Sequence, residues 1–220
     1  MGLCRHHVLL VVCLFGAAGS AAPARAADAC DPPDQPVGSI VSVQGQVEVR
    51  ADPSVPWRLG RLDEALCSRA IIHVGDRSRA RVALSDAPVS IDQNTTLHLV
   101  GDSELVGAAE DEPGFIRLIR GAIYVFSRRP QALTISTPFV DAAVEGTEFL
   151  VRVEPGRTQV TVFEGTIAAR NEHGQVQVTS GQSVVAEAGK APTPVLVVRP
   201  RDAVEWALYY PPVLTTLADP

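Results

Sequence analysis

Closely spaced alternation of apolar and polar residues constrains the fold of this chain more than any other feature. Between residues 38 and 190 we count about a dozen short alternating runs, each bounded by a turn signal. One run places Phe149, Val151 and Val153 on one face and the intervening side chains on the other. No long pattern of helical period precedes residue 200. The pattern predicts an all-β fold of stacked short strands and hairpins, arranged as a β-sandwich or a solenoid-like roll.

Glycine and proline mark where the strands turn. Pro155-Gly156 occupies the two central positions of a type II turn and predicts a hairpin. A Gly-x-[Val/Ile] pattern opens three predicted strands, at Gly45, Gly121 and Gly165. The intervals between these glycines are unequal, so the pattern indicates similarly built hairpins and not a strict repeat.

The ends of the chain differ from its middle. Residues 1–26 combine a basic start, an apolar stretch and a small-x-small cleavage motif, which predicts a cleaved signal peptide. Residues 27–37 form a proline-rich extended arm, and residues 38–190 form the β domain. Residues 191–220 are expected to be a linker with a short C-terminal helix over 202–210. The mature protein is therefore expected to be periplasmic or secreted, with no transmembrane segment.

Charge and cysteine content restrict the functional classes. Without residues 1–26 the chain has 17 basic and 25 acidic side chains, a net charge of −8. Such acidity argues against a nucleic-acid partner, which requires clustered Lys and Arg. Cys30 and Cys67 are the two cysteines of the mature chain, and an even number in an exported protein favours a disulfide. Two free buried thiols are the alternative.

No catalytic or cofactor constellation stands out. The mature histidines, His73, His98 and His173, are far apart in sequence and lie near no cysteine–carboxylate cluster, so no metal site is predicted. A Ser–His–Asp hydrolase needs only three convergent residues and stays a remote alternative, although the chain has no Gly-x-Ser-x-Gly motif. We expect a protein without enzymatic activity and without a cofactor.

Several motifs, taken together and in order, resemble the FecR-type periplasmic domain. They are GD at 75–76, SRA at 78–80, DQNTTL at 92–97, LIRGAI at 118–123, TP at 137–138, VEGTEFLV at 144–151 and VFEGTI at 162–167. The family motif residues carried over are Thr137, Pro138, Gly146, Thr147, Glu148 and Phe149. The resemblance covers residues 38–189 and implies an all-β sensor module.

The resemblance also has limits. FecR regulators carry a cytoplasmic anti-sigma segment and a transmembrane helix ahead of this domain, where the present chain has a predicted signal peptide. Anti-sigma activity is therefore not expected. Residues 200–212 resemble the junction found where such domains precede tetratricopeptide repeats in exported proteins.

Candidate binding residues are charged. A face for a protein partner in the cell envelope is predicted from five arginines: Arg77, Arg79, Arg81, Arg128 and Arg129. A solvated strand face with cross-strand ion pairs is the alternative for these residues. Glu148 and Thr147 are expected to satisfy the backbone at a bulge; a polar recognition spot formed by Glu145, Glu148 and Glu164 is the alternative. Trp57 is expected to pack back on the body. The predicted function is protein–protein contact in envelope signalling or scaffolding, with glycan or peptidoglycan binding as the alternative.

Overall fold

Fifteen β-strands account for nearly all regular structure in the described part of the chain. A computed structural model of the protein describes residues 30, 34, 36–84, 87–100, 115–126, 132–196 and 207. The first eight strands are β1 (Pro36–Gln44), β2 (Val47–Arg50), β3 (Arg58–Leu59), β4 (Ala65–Cys67), β5 (Ile71–Val74), β6 (Arg79–Leu84), β7 (Pro88–Ile91) and β8 (Thr95–Val100). The remaining seven are β9 (Phe115–Phe126), β10 (Ala132–Ser136), β11 (Asp141–Glu154), β12 (Arg157–Asn171), β13 (Gly174–Thr179), β14 (Gln182–Glu187) and β15 (Thr193–Leu196).

All fifteen strands belong to one sheet that closes on itself. The ladder runs β15-β14-β12-β11-β10-β9-β7-β6-β1-β4. A second path runs from β2 through β5 and β8 back to β9, and β2 continues the chain of β1 after one bend. The all-β prediction is confirmed, but the architecture is a single barrel-like sheet and not a sandwich or a stacked roll.

Bent strands make this closure possible. β9 pairs with β8 and β10 through its first half and with β7 and β11 through its second half. Gly121 lies at the division, with a φ of +92° that other residues rarely adopt. The sequence pattern predicts two strands here, broken at Arg120-Gly121, and this prediction is wrong because the glycine bends one strand without ending it.

The same correction applies to β12. Two strands are predicted on either side of Gly165, whereas β12 continues through it at a φ of +89°. The paired strand β11 is irregular at the facing position, where the register shifts between Glu145 and Glu148. Because both strands bend together, their hydrogen-bond ladder resumes beyond the irregularity. Gly45, between β1 and β2, has a φ of +75°, so all three glycines of the Gly-x-[Val/Ile] pattern have a positive φ.

One hydrophobic core fills the interior. The alternation of β11 is confirmed, since Phe149, Val151 and Val153 are all buried in this core. The predicted hairpin is also present: Glu154 pairs with Arg157 across the Pro155-Gly156 turn, and Gly156 has a φ of +82°.

Some predictions fall outside the described residues. These are the signal peptide over 1–26, Arg128, Arg129 and, apart from the helical residue Ala207, the helix over 202–210. Within the described ranges, no helix combines the length and the apolar composition needed to cross a bilayer.

Candidate functional site

The Thr-Pro motif builds a tight turn between β10 and β11. Thr137 Oγ1 donates to the carbonyl of Val140 (2.7 Å) and accepts the backbone N–H groups of Val140 (3.1 Å) and Phe139 (3.3 Å). The same hydroxyl shares a 2.9 Å hydrogen bond with Thr158, which is fully buried. Thr137 therefore closes the turn and fastens it to β12, while Pro138 is left exposed at its tip.

The second part of the motif occupies the irregular section of β11. Phe149 is fully buried in the core. Glu148 Oε1 accepts a 2.5 Å hydrogen bond from Tyr124 Oη on β9, and Glu148 lies opposite Glu164 on β12. Thr147 is buried, and its hydroxyl has no hydrogen-bond partner in the structure as described. The prediction that Thr147 satisfies the backbone at the bulge is therefore wrong. Gly146 lies in β11 at the register shift.

Asn171 joins three turns at the same end of the sheet. Its side-chain nitrogen Nδ2 donates to the carbonyls of Phe139 (3.1 Å) and Lys190 (2.8 Å), and its Oδ1 accepts the backbone N–H of His173 (3.0 Å). One amide therefore fixes the Phe139 turn against the β12–β13 turn and the turn after β14. Rigid turns of this kind are what a binding surface on loops requires.

Two open clefts flank the Phe139 turn. One, of about 400 Å³, lies between this turn and the segments around Asn171 and Gly189. The other, of about 600 Å³, lies between it, the Gly121 bend and the Pro155-Gly156 turn. Both clefts are lined by Pro138 and Phe139.

The rims of the clefts carry charges of both signs. The smaller cleft has Asp141, Arg170 and Glu187, and the larger has Asp92 and Arg152. Nowhere in the described ranges are three or more His, Cys, Asp or Glu side chains placed to hold a metal ion. The clefts therefore offer hydrogen-bonding and ionic recognition.

The structure describes three of the five arginines of the predicted partner face. Arg79 and Arg81 lie on β6, but Arg79 Nε is 3.6 Å from Asp92 Oδ1, in an ion pair. Arg77 precedes the strand in a turn, with a φ of +50°, and contacts the neighbouring Asp76 at 3.2 Å. Arg81 is half-buried, opposite Ser90 on β7. The described arginines thus do not form one uniform free surface, and Arg79 is paired with Asp92 in the turn after β7.

The two most exposed large apolar side chains of the described residues, Leu59 and Leu62, lie near β3, whereas Ile119, at the larger cleft, is 44% exposed. Leu59 is 66% exposed, Leu62 is 54% exposed and Trp57 is 38% exposed. Arg50 stacks on Trp57 with its guanidinium carbon 4.5 Å from the ring centroid, and the ring of His73 lies 5.9 Å away. Trp57 was expected to pack back on the body, and it does make these contacts, yet it keeps a large free surface. We refer to Arg50, Trp57, Leu59 and Leu62 as the Trp57 surface.

The N-terminal arm is attached close to β4. The predicted disulfide between Cys30 and Cys67 is present, with Cα atoms 5.7 Å apart. Arg69 donates two hydrogen bonds to Asp34, at 2.7 and 2.8 Å, and Ser68 donates a third at 3.2 Å. The hydrogen bonds from Arg69 lower the pKa of Asp34. A covalent and an ionic attachment therefore hold neighbouring parts of the arm.

Fold and surface together define a closed all-β domain with pinned turns at one end and an exposed aromatic surface near β3. Residues 70–168 match the model of the FecR protein family, which confirms the resemblance seen in the motifs over this range. The match includes the Gly121 bend, the Phe139 turn and the Gly165 bend. No curated protein matches the chain.

Two solved structures have a similar fold. The chain resembles two crystal structures, at 2.50 and 1.65 Å resolution, of a candidate anti-sigma factor from Parabacteroides distasonis ATCC 8503. Each superposes with a TM-score of 0.53 at 14% identity and covers 62% of the present chain. The match spans 63% and 64% of those two chains, so slightly over a third of each has no counterpart in the present chain. At this identity the likeness establishes the fold.

Proposed function

We propose that this protein is a non-enzymatic module of the cell envelope that binds a protein partner through the Trp57 surface, in signalling or scaffolding. The observation that carries the proposal is the exposure of Trp57, Leu59 and Leu62 within six residues of chain. A single exposed leucine is ordinary on a protein surface, but clustered exposed apolar side chains mark interaction sites. The similarity to a candidate anti-sigma factor supports a signalling context.

The Trp57 surface has the composition of an interaction hot spot. Tryptophan and arginine are enriched among residues whose truncation costs most binding energy. Arg50 is fixed over the ring of Trp57 and also donates to the carbonyl of Pro53 at 3.1 Å. Both side chains are therefore held before binding, which reduces the conformational entropy lost when a partner is bound.

The backbone beside this surface also suits a protein partner. β3 is a two-residue strand that pairs with β2, and no other described strand pairs with it. An unpaired strand edge can accept an extended segment of another chain. Arg58 on β3 forms an ion pair with Glu64, so charged groups border the apolar side chains. An apolar centre with a polar rim is the usual anatomy of protein interfaces.

Site-specific photo-cross-linking tests the proposal. A photoreactive amino acid replaces Leu59 in the exported protein, and Gln177, which is exposed on β13, is the matched control position. We expect a discrete protein adduct from position 59 and none from position 177. Equal labelling at both positions, or peptidoglycan as the sole adduct at position 59, would contradict the proposal.

A glycan or peptidoglycan ligand is the second candidate, and the two clefts favour it. Their polar rims and volumes of about 400 and 600 Å³ suit a short saccharide or peptide. Titration with soluble peptidoglycan fragments, followed by amide chemical shifts, distinguishes the candidates. Saturable shifts at Arg170 and His173, with none at Trp57, would favour the glycan.

A further inference from the structure

The outward face of the central strands is buried, although it does not belong to the main core. On β9, Ile123 and Val125 point into the core, so Tyr124 between them points outward. On β11, Phe149 and Val151 point inward and Leu150 points outward. Nevertheless Tyr124 is only 6% exposed and Leu150 only 3%. Side chains on the outside of a sheet reach such values when something packs over them.

The buried positions form a row across five strands. In the sheet register Ser90 lies opposite Tyr124, Tyr124 opposite Leu150, Leu150 opposite Thr161, and Thr161 opposite Ser183. All five side chains are buried. With neighbouring strands about 4.8 Å apart, the row is about 19 Å long.

Ala207 identifies what covers this face. It is helical, 4% exposed, and packs in a separate apolar cluster with Ala122, Tyr124 and Leu150, bordered by Phe126 and Phe163. Among the described residues it is the member of this cluster that does not come from the sheet. We propose that this outer cluster is a docking site for the chain's own C-terminal segment, residues 202–210.

The sequence around Ala207 fits this role. In a helix over 202–210, Ala203, Val204 and Tyr210 share the face of Ala207, because they lie three or four residues from it. Two alanines and a valine allow close approach to the sheet, and the tyrosine adds apolar area at one end. The pattern is the one expected of a helix that packs one small, apolar stripe on a sheet.

The segment between β15 and Ala207 is long enough to reach the outer cluster. β15 ends at Leu196 and is separated from β9 by β14, β12 and β11 in the sheet. Four strand spacings amount to about 19 Å. The ten residues 197–206 can span about 33 Å when extended. The C-terminal segment therefore reaches the outer cluster without moving β15.

The outer cluster presents an apolar surface to its occupant because its main polar group is already satisfied. Tyr124 Oη donates to Glu148 at 2.5 Å. Burial and then this carboxylate raise the pKa of Tyr124 far above its usual value, so its hydroxyl stays protonated and bonded within the sheet. Thr161 and Ser183 are bonded to each other at 2.6 Å. An occupant with an apolar stripe therefore fits the outer cluster.

Hydrogen exchange of the full chain tests the docking. Ala207→Arg places a charged, bulky side chain against Leu150, and Ala191→Arg, at an exposed position, is the control. We expect exchange of amides 202–210 to accelerate at least tenfold in Ala207→Arg and to stay unchanged in Ala191→Arg. Equal exchange in the two variants and the unmodified protein would overturn the proposal.

A disulfide cross-link gives a second, independent test. Under mild oxidation Leu150→Cys should pair with Ala207→Cys. Ala143→Cys, also outward-facing on β11 but exposed, should not pair with Ala207→Cys. Absence of a preference for position 150, judged by mass spectrometry of the peptides, would also overturn the proposal.

Discussion

Strand β9 bends at Gly121 and pairs with different strands before and after the bend. Replacing this glycine therefore tests the fold directly. A Cβ atom at this position would lie 2.3 Å from Thr95 Oγ1 and 2.5 Å from Thr95 Cα. Thr95 is fully buried and its hydroxyl accepts the backbone N–H of Ala122 at 3.0 Å. It cannot move aside without disturbing this hydrogen bond and the start of β8.

Two effects are expected to lower the stability of the Gly121→Ala variant. The left-handed backbone costs about 1–2 kcal/mol for a residue with a Cβ atom. Forcing an extra carbon into a closely packed site costs about 1–3 kcal/mol more. Gly156→Ala is a matched control because Gly156 has a φ of +82° and open space around it. The control should therefore show the backbone cost alone.

Urea unfolding followed by far-ultraviolet circular dichroism, with the disulfide intact, measures both changes. We expect Gly121→Ala to lower the free energy of unfolding by about 2–5 kcal/mol, the sum of the backbone and packing costs. Gly156→Ala should lower it by about 1–2 kcal/mol. Equal losses in the two variants would refute the argument that close approach to Thr95 makes glycine necessary at the bend.

Three further predictions concern the attachments of the arm and the turns. Because Arg69 lowers the pKa of Asp34, the stability from this pair is present above about pH 4 and is lost as pH falls through the lower folded-state pKa. Asp34→Asn should therefore lower the melting temperature at pH 6 more than at pH 2. Cys30→Ser together with Cys67→Ser opens a loop with a sequence separation of 37 residues and should cost about 3–4 kcal/mol in urea unfolding; an unchanged midpoint would contradict this. Asn171→Ala removes two hydrogen bonds to turn carbonyls, and amide exchange in those turns should accelerate while the strands stay protected.

Local patterns allowed much of the fold to be predicted from the sequence. The alternation of β11 identified its core-facing side chains, and the Pro155-Gly156 pair identified the hairpin that follows. The pairing of Cys30 with Cys67 was predicted and is confirmed. Each of these inferences depends on residues close in sequence or on a choice with few alternatives.

Continuity of the long strands could not be predicted in the same way. Glycine at positive φ ends some strands and bends others, and Gly121 and Gly165 belong to the second group. The difference depends on whether the partner strand bends at the same place, as β11 does opposite β12. Such pairing is known only once the sheet is formed.

Whether a side chain is buried, exposed or ion-paired depends on tertiary contacts that the sequence pattern does not show. Leu150 follows the alternation and points outward, yet it is buried, because alternation separates two faces and does not show what covers the second. Arg79 belonged to a predicted partner face, but Asp92 from a later turn pairs with it. Trp57 is predicted to pack back on the body, but the sequence does not show that its partner is Arg50, seven positions earlier, or that the ring keeps an exposed surface.

The affinity of the cross-linked partner for variants of the Trp57 surface tests the central proposal most directly. Trp57→Ala removes the aromatic ring that Arg50 holds, and Gln177→Ala is the control at an exposed strand position. A loss of about 2 kcal/mol, typical of a hot-spot tryptophan, would raise the dissociation constant about 30-fold by isothermal titration calorimetry. The control should bind like the unmodified protein. A dissociation constant for Trp57→Ala equal to that of Gln177→Ala, in a protein with unchanged circular dichroism, would contradict a partner site at this surface.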